Sequence, residues 1–362
     1  MSMKFEDLSI CVIFGGQSNE HEISAQSASY IINLLKEANA KNIYQLGISK
    51  EGNCFLFHGR VDQVKDGSWL NDPNNQTVLF KLGEKGQGFY VEEDNQLNWY
   101  DVDVFFPVLH GQNGEDGTIQ GLFDMLNANF VGCGVLSSAV SMDKVISRML
   151  FDYAGIPQAE WTWLKKKEYL SNKDKAVENI EAELAYPVFV KPANAGSSVG
   201  INKAYDRKDL ENSLDLAFNY DSKVVIEAGI IGREIELAII EDPDLEDNIF
   251  VSEAGEIIPD RDFYDYESKY ISQDSELIIP ASLTDDQLKT LHEYAKTAFN
   301  LVDGEGLSRA DFFIEKSTGK ILLNEINTLP GFTAISMYPK LIQHSGYNPI
   351  KLIKTLINSA IN

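Results

Sequence analysis

Residues 308–327 read SRADFFIEKSTGKILLNEIN, two strand-like runs on either side of Ser317, Thr318 and Gly319. A three-residue loop ending in glycine suits a β-hairpin, because glycine takes the left-handed position that closes such a loop. Pairing Lys316 with Lys320 sets Asp311 opposite Glu325, and the two-residue period of a strand brings Arg309 and Asn327 onto the same face. Carboxylates directly opposite each other repel unless a cation lies between them. Hard oxygen donors with no histidine or cysteine nearby favour Mg2+. The alternative is a solvated face on which Arg309 pairs one of the acids. Phe312, Phe313, Leu322 and Leu323 argue instead for a hairpin packed in a core.

Upstream, residues 186–192 (YPVFVKP) form a strand that feeds the small-residue loop 193–200 (ANAGSSVG). Such a loop can turn its backbone N–H groups onto phosphate oxygens. No Gly-Lys-Ser or Gly-Lys-Thr follows it, and the chain lacks a well-placed dinucleotide fingerprint, so a different nucleotide fold is needed. Gly196 to Gly200 also fits G-x-S-x-G, which would make Ser198 a hydrolase nucleophile with His292 or His344 as base. That elbow requires a helix immediately after the serine, whereas residues 201–205 (INKAY) read as extended. Residues 224–227 and 234–240 are strands, and 260–273, aromatic and charged without a period, read as a flap.

Toward the N-terminus, the apolar run 8–14 meets Gly15 and Gly16 and then a helix over 24–38. Strands at 42–48, 77–82 and 102–108, with helices at 118–126 and 141–154, make this third an open α/β layer. Glu20 sits beside the carboxyl end of the first strand, where ligands gather in such sheets. His110 opens the glycine-studded loop 109–118. Taken alone, Glu20 is as well explained as a helix cap and His110 as a satisfied polar residue. Residues 50–100 are turn-rich and carry no readable motif.

The chain has 362 residues, 55 acidic against 31 basic, for a net charge of −24. That length fits two to three domains, each able to bury a core. The negative balance repels phosphodiester backbones and anionic lipid, so neither nucleic acid nor membrane is an expected partner. No apolar run reaches membrane-spanning length, and Glu6 and Asp7 precede the first apolar run, unlike a signal peptide; a cytoplasmic location is expected. Cys11, Cys54 and Cys133 read as reduced, buried thiols.

Taken together, GGQSNEHEIS, LHGQNGEDGTIQG, SMDK, FVKPANAGSSVGI, FYDYESKY, LSRADFFI and LNEINTLPGFT resemble, in order and spacing, the bacterial D-alanine–D-alanine ligases of the ATP-grasp superfamily. The resemblance spans nearly the whole chain except 50–100. It implies an α/β, three-domain ATP-grasp fold: an N-terminal open α/β domain (1–138), a central lobe (139–224) and a C-terminal lobe (225–362). It further implies ATP-dependent ligation of two D-alanines through D-alanyl phosphate, for peptidoglycan precursors. Lys144 and Lys191 would contact ATP phosphates, with Ser198 and its loop closing over them and Lys269 reaching the γ-phosphate. Glu227, the backbone at Ala228 and Ile230, and the side chains of Phe189, Ile201 and Phe313 would hold adenine. Glu234 would bind the ribose, and Asn324 would also belong to the ATP site. Asp311, Glu325 and Asn327 would hold two Mg2+ ions, with Mn2+ as a substitute. Glu20 and His110 would receive the first D-alanine, Ser336 and the Met337 amide the second, and Arg309 with the Gly331 amide the oxyanion. Tyr270, Ser197 and Glu20 would tie the flap down. The same resemblance allows a homodimer. Another carboxylate–amine ligase of that superfamily, the serine hydrolase and a non-catalytic acidic binding protein are the competing readings.

Overall fold

The computed structural model describes residues 4–83, 86–196, 199–258 and 276–361, and its strands fall into three sheets. The first contains β1 (Ser9–Gly15), β2 (Asn42–Ile48), β3 (Cys54–Phe57), β4 (Gln76–Leu79), β5 (Gly88–Glu93), β6 (Gln96–Asp101) and β7 (Val104–Pro107), in the order β6-β5-β4-β3-β2-β1-β7. Only β2-β1-β7 is parallel. The remainder is an antiparallel extension built from the stretch in which the sequence offered no motif. Its alternation is real but brief: Phe89 and Val91 are buried while Tyr90 between them is not. Helix α1 (His21–Glu37) carries the chain from β1 to β2 and buries Ala25, Ala28, Ile31, Ile32 and Leu35.

Helices α2 (Val61–Lys65), α3 (Thr118–Leu126), α4 (Val135–Met142) and α5 (Lys144–Tyr153) follow. The single helix expected over 141–154 is two helices, because Asp143 breaks the run. Its carboxylate accepts from the N–H groups of Val145 and Ile146 and so caps α5. The second sheet, β10-β9-β11-β8, comprises β8 (Trp161–Lys165), β9 (Val188–Pro192), β10 (Asn202–Ala204) and β11 (Lys223–Ala228). One face, Leu164, Val188, Val190, Ala204, Val224 and Ile226, packs on α7 (Lys173–Glu183) and α8 (Arg207–Ala217), with α6 (Lys166–Ser171) at its edge. On the other face Val225 packs with Val145 of α5 and Ala193, and the rest of that face borders the cleft. Strand β11 runs through the lobe boundary expected at 224/225, and the sheets change at residues 229–231; the boundary expected at 138/139 falls inside α4.

The third sheet, β15-β14-β12-β16-β17 with β13 beside β12, holds β12 (Gly232–Glu241), β13 (Ile249–Val251), β14 (Gly255–Ile258), β15 (Glu276–Ile278), β16 (Leu307–Glu315) and β17 (Ile321–Asn327). Helix α9 (Asp285–Leu301) covers the face formed by Ile235, Leu237, Ala310, Phe312, Leu323 and Ile326. Two helices close the chain, α10 (Met337–His344) and α11 (Pro349–Ile361). Their Leu341, Leu352, Ile353, Leu356 and Ile357 join a core that also contains Ile10, Val12, Ile31 and Leu35 of the first sheet and its helix.

The β16–β17 hairpin corrects the expected turn. Glu315, not Lys316, pairs with Lys320 through Glu315 N–H to Lys320 O at 2.9 Å, and Gly319 closes the loop at φ +71°. That four-residue loop would put Asp311 opposite Asn324. A bulge at Asn324 restores the register, so that Asp311 faces Glu325 and Arg309 faces Asn327. The bulge also resets which side chains face inward. Ile321, Leu323 and Ile326 all reach the α9 core, a spacing no regular strand allows, and Glu325 is left on the opposite face.

Candidate functional site

The first sheet ends in two glycines with positive φ, Gly15 at +88° and Gly16 at +92°. A Cβ on Gly15 would stand 2.3 Å from Ile48 O, so only glycine lets the chain turn this close to β2. The turn delivers Glu20, the N-cap residue of α1, to a buried position. Its N–H donates to Ser18 Oγ at 3.1 Å, and Ser18 Oγ donates to His110 O at 2.7 Å, which joins this turn to the loop after β7. His110 is itself buried. Its ring nitrogens reach Ser27 Oγ at 3.1 Å and Leu329 O at 3.2 Å, and Nδ1 lies 3.6 Å from Glu115. Burial disfavours its charged form, but Glu115, Glu20 and the Leu329 carbonyl outweigh burial and move its pKa upward. His110 thus takes up a proton more readily than a free imidazole, where the first and third sheets meet.

Gly111 has φ +73°, and a Cβ there would fall 2.5 Å from Glu20 Oε2. Gly111→Ala is expected to lower unfolding free energy by about 1–2 kcal/mol, because alanine resists the left-handed conformation and displaces the carboxylate. Urea unfolding checks this, and wild-type stability would contradict it. Gly196, from the loop after β9, approaches the same oxygen, its notional Cβ lying 3.4 Å away. The small-residue loop thus spans from the second sheet to the first. It continues into β10, not into a helix, so the nucleophile-elbow geometry is absent. Ser197, Ser198, Lys269 and Tyr270 lie outside the described residues.

On the cleft face of the second sheet, strand register aligns Trp161, Glu227, Phe189 and Lys203 in one row, with Lys191 and Val225 in the next. Phe189 and Ile201 on this side, Ile230 after β11 and Phe313 on the third sheet are apolar yet only half-buried, as the walls of a flat apolar slot would be. Ala228 donates its N–H to Glu160 O at 2.8 Å, so its carbonyl is the group it can offer a ligand. Glu227 is buried between Lys191 and Arg148, each ion-paired with one of its oxygens. Burial alone would raise its pKa; the two cations prevail and hold it below the ordinary carboxylate range. Arg148 escaped the sequence reading. Its signal was helical spacing, four residues after Lys144 on α5.

Lys144 Nζ donates to Ala195 O at 2.8 Å and stands 4.0 Å from Glu325 Oε2, bridging the second and third sheets. Across the third sheet, Glu236, Asp311 and Glu325 occupy register-matched positions on three adjacent strands. Glu236 also went unread, although it follows Glu234 at strand spacing. Arg309 donates to both Asp311 oxygens, at 2.7 and 2.8 Å. Its Nε lies 3.1 Å from Glu236. This is the pairing of Arg309 with one acid that the sequence left open as an alternative. Among the described residues, no three His, Cys, Asp or Glu side chains are gathered as a metal cluster. Asp311 turns to Arg309 instead of to Glu325. The donors are nonetheless all hard oxygens, and they fit Mg2+ once that pair loosens. Beyond Asn327, whose Oδ1 accepts from Leu329 N at 3.2 Å, the chain reaches Gly331 and then Ser336, the N-cap of α10. Ser336 Oγ accepts from Thr333 N–H at 3.1 Å, and the Met337 amide lies in the first turn of that helix, an anion-favouring position.

The three cysteines form no disulfide. Burial pushes the Cys54 thiol up to about 12 and the Cys133 thiol up to about 11. Among the described residues no helix is long and apolar enough to cross a membrane.

Two family descriptions match the chain, "D-ala D-ala ligase N-terminus" over residues 9–133 and "D-ala D-ala ligase C-terminus" over residues 150–358. The chain is 46% identical to the D-alanine–D-alanine ligase of Caldicellulosiruptor bescii over 356 residues, covering 98% of this chain and 95% of that one. It is 44% identical to the ligase of the same name from Acetivibrio thermocellus, covering 97% and 95%. Among solved structures, the VanG D-Ala:D-Ser ligase from Enterococcus faecalis matches with a TM-score of 0.87 and 35% identity, covering 98% of this chain and 99% of that one. The D-alanine–D-alanine ligase from Coxiella burnetii matches with a TM-score of 0.84 and 32% identity, covering 98% and 94%.

Proposed function

The chain belongs to the D-alanine–D-alanine ligase family of the ATP-grasp superfamily, and from that premise we propose how its residues divide the work. It is an enzyme that joins two D-alanines at the expense of ATP, for peptidoglycan synthesis. The first D-alanine carboxylate takes the γ-phosphoryl group, giving D-alanyl phosphate and ADP. The amine of the second D-alanine then attacks the acyl carbon, inorganic phosphate leaves, and D-alanyl-D-alanine forms.

The observation that supports the residue-level reading best is Lys144 Nζ standing between Ala195 O and Glu325. A polyanion held by Lys144 and Lys191 lies against the row of carboxylates that would carry its counter-charge. Adenine stacks between Phe189, Ile201 and Phe313, with Glu227, the Ala228 carbonyl and the Ile230 amide at its edge and Glu234 at the ribose. Asp311, Glu325 and Asn327 would hold two Mg2+ ions, which when bound would neutralise charge at the transferring phosphoryl group. Asn324, the bulged residue, belongs to the same ATP-facing edge. Lys269 and Ser198 complete the phosphate contacts. Glu20 takes the ammonium of the first D-alanine and His110 lies near its carboxylate; Ser336 and the Met337 amide grip the second carboxylate. Arg309 and the Gly331 amide stabilise the tetrahedral oxyanion. Tyr270 and Ser197 with Glu20 close the flap, excluding water that would hydrolyse the acyl phosphate. The working unit is cytoplasmic, is built of three lobes, and can pair as a homodimer.

Arg148→Met is expected to weaken ATP binding about tenfold, since Glu227 loses one of the two cations that fix it at the adenine edge. Calorimetric titration with ATP reads this, and an unchanged affinity would leave Glu227 positioned by Lys191 alone. Acceptor choice gives a second test. D-lactate carries net negative charge, and placing it next to Glu20 and the phosphates is repulsive with a neutral tyrosine at position 270. With equal D-alanine and D-lactate at pH 7, product analysis should find mostly D-alanyl-D-alanine. Phosphate release from ATP that requires D-alanine tests the whole reading, and release independent of it would overturn that reading. Running D-serine in parallel distinguishes a D-Ala:D-Ser enzyme.

A further inference from the structure

Arg309 and Asp311 have been given different tasks, one at the oxyanion and the other at a metal, yet they are bound to each other. Their contact is bidentate, with Arg309 Nε on Asp311 Oδ1 at 2.7 Å and Nη2 on Oδ2 at 2.8 Å. Both side chains are mostly buried, 14% and 13% exposed. Drawing Asp311 toward a cation would take its bidentate carboxylate away from a buried guanidinium, a cost that a neighbouring anion lowers.

Glu236 stands where that second anion is needed. It lies on β12 as the register partner of Asp311, its side chain is 9% exposed, and Oε2 is 3.1 Å from Arg309 Nε. The Nε–H itself is donated to Asp311, so Glu236 already stands beside the guanidinium as an ion-pair partner. A guanidinium has five donors, so being held at Nε leaves the fork able to serve an oxyanion. Glu236 is not one of the Asp311, Glu325 and Asn327 donors. On β12 its alternation partners inward of the site, Ala238 and Ile240, belong to the apolar core, which makes a carboxylate at this depth expensive without a specific role.

We propose that Glu236 is a positioning residue. It holds Arg309 in place when Asp311 turns to Mg2+, so that loading the metal site does not strand or swing the oxyanion donor. The proposal rests on the metal and oxyanion roles given above to Asp311 and Arg309. It makes Glu236 act through Arg309, not on the metal directly.

A double-mutant cycle separates these possibilities. Mn2+ is titrated into protein holding equimolar adenylyl imidodiphosphate, and free Mn2+ is read by electron paramagnetic resonance. Glu236→Gln should weaken Mn2+ binding about tenfold, because Arg309 loses the Glu236 carboxylate and competes harder for Asp311. In an Arg309→Met background the same substitution should change Mn2+ binding by less than about twofold. Should Glu236→Gln fail to fold, Glu236→Asp withdraws the charge by one methylene and is read in the same two backgrounds. Its weakening should be smaller than tenfold and again confined to the background that keeps Arg309. Equal weakening in both backgrounds, or none where Arg309 is present, would overturn the proposal. Asp311→Asn is the control on the underlying reading. If it leaves Mn2+ binding intact, the metal assignment is wrong; if it abolishes binding while Glu236→Gln has no effect, only the positioning role fails.

Discussion

Glu325→Gln is expected to cut ligation by at least about a thousandfold while the protein stays folded. The residue sits on β17 opposite Asp311, with Lys144 Nζ 4.0 Å from its carboxylate. The substitution removes a charge at nearly constant volume. The neighbours that hold the strand, Leu323 and Ile326, keep their places in the α9 core, so the melting temperature should move by no more than about 3 °C. The loss should therefore be chemical. A neutral amide binds a divalent cation far less well than a carboxylate, and the phosphoryl group would transfer against unscreened charge. Phosphate release measured across a Mg2+ titration, alongside thermal unfolding, reads both parts. Near-normal turnover at low Mg2+ would remove Glu325 from the metal site.

Arg309→Lys should lower turnover by roughly a hundredfold, with a much smaller change in the apparent affinity for ATP. A lysine keeps the charge and loses the planar fork that now spans both oxygens of Asp311. Its ammonium is a single point with no second edge to offer a tetrahedral oxyanion, and donor position matters more there than charge. Steady-state kinetics with saturating ATP and varied D-alanine distinguish the outcomes. Unchanged turnover would move the oxyanion site away from Arg309.

The facing carboxylates Asp311 and Glu325 were legible because charge alternation survives in a strand even where the turn does not. Asp311 was set opposite Glu325 from a pairing of Lys316 with Lys320 that the hairpin does not make. The true loop is one residue longer, 316–319, and the bulge at Asn324 cancels the difference. The apolar residues at 321, 323 and 326 recorded that bulge in their broken period. Residues 50–100 were illegible for another reason. Their strands are short, four to six residues, and belong to the edge of a sheet, where few side chains are buried deeply enough to impose a pattern. Arg148 and Glu236 were overlooked because each was one more charge in a charged chain. Spacing from Lys144 and from Glu234 would have placed both on the site. Asp143 likewise announced the break between α4 and α5 by being a capping residue within an otherwise helical run.

The way the last helix packs has a consequence for how the chain can be made. Helix α11 shares a core with β1 and α1, so a segment synthesised early is covered by one synthesised about three hundred residues later. While residues 1–133 are outside the ribosome and 349–361 are not, the apolar flank of α1 has no permanent cover. Synthesis at about 5–20 residues per second would leave that flank exposed for tens of seconds. The first sheet can form early, but its final docking is a late, long-range event. A chain stopped shortly before α11 would present the same uncovered surface to chaperones and proteases.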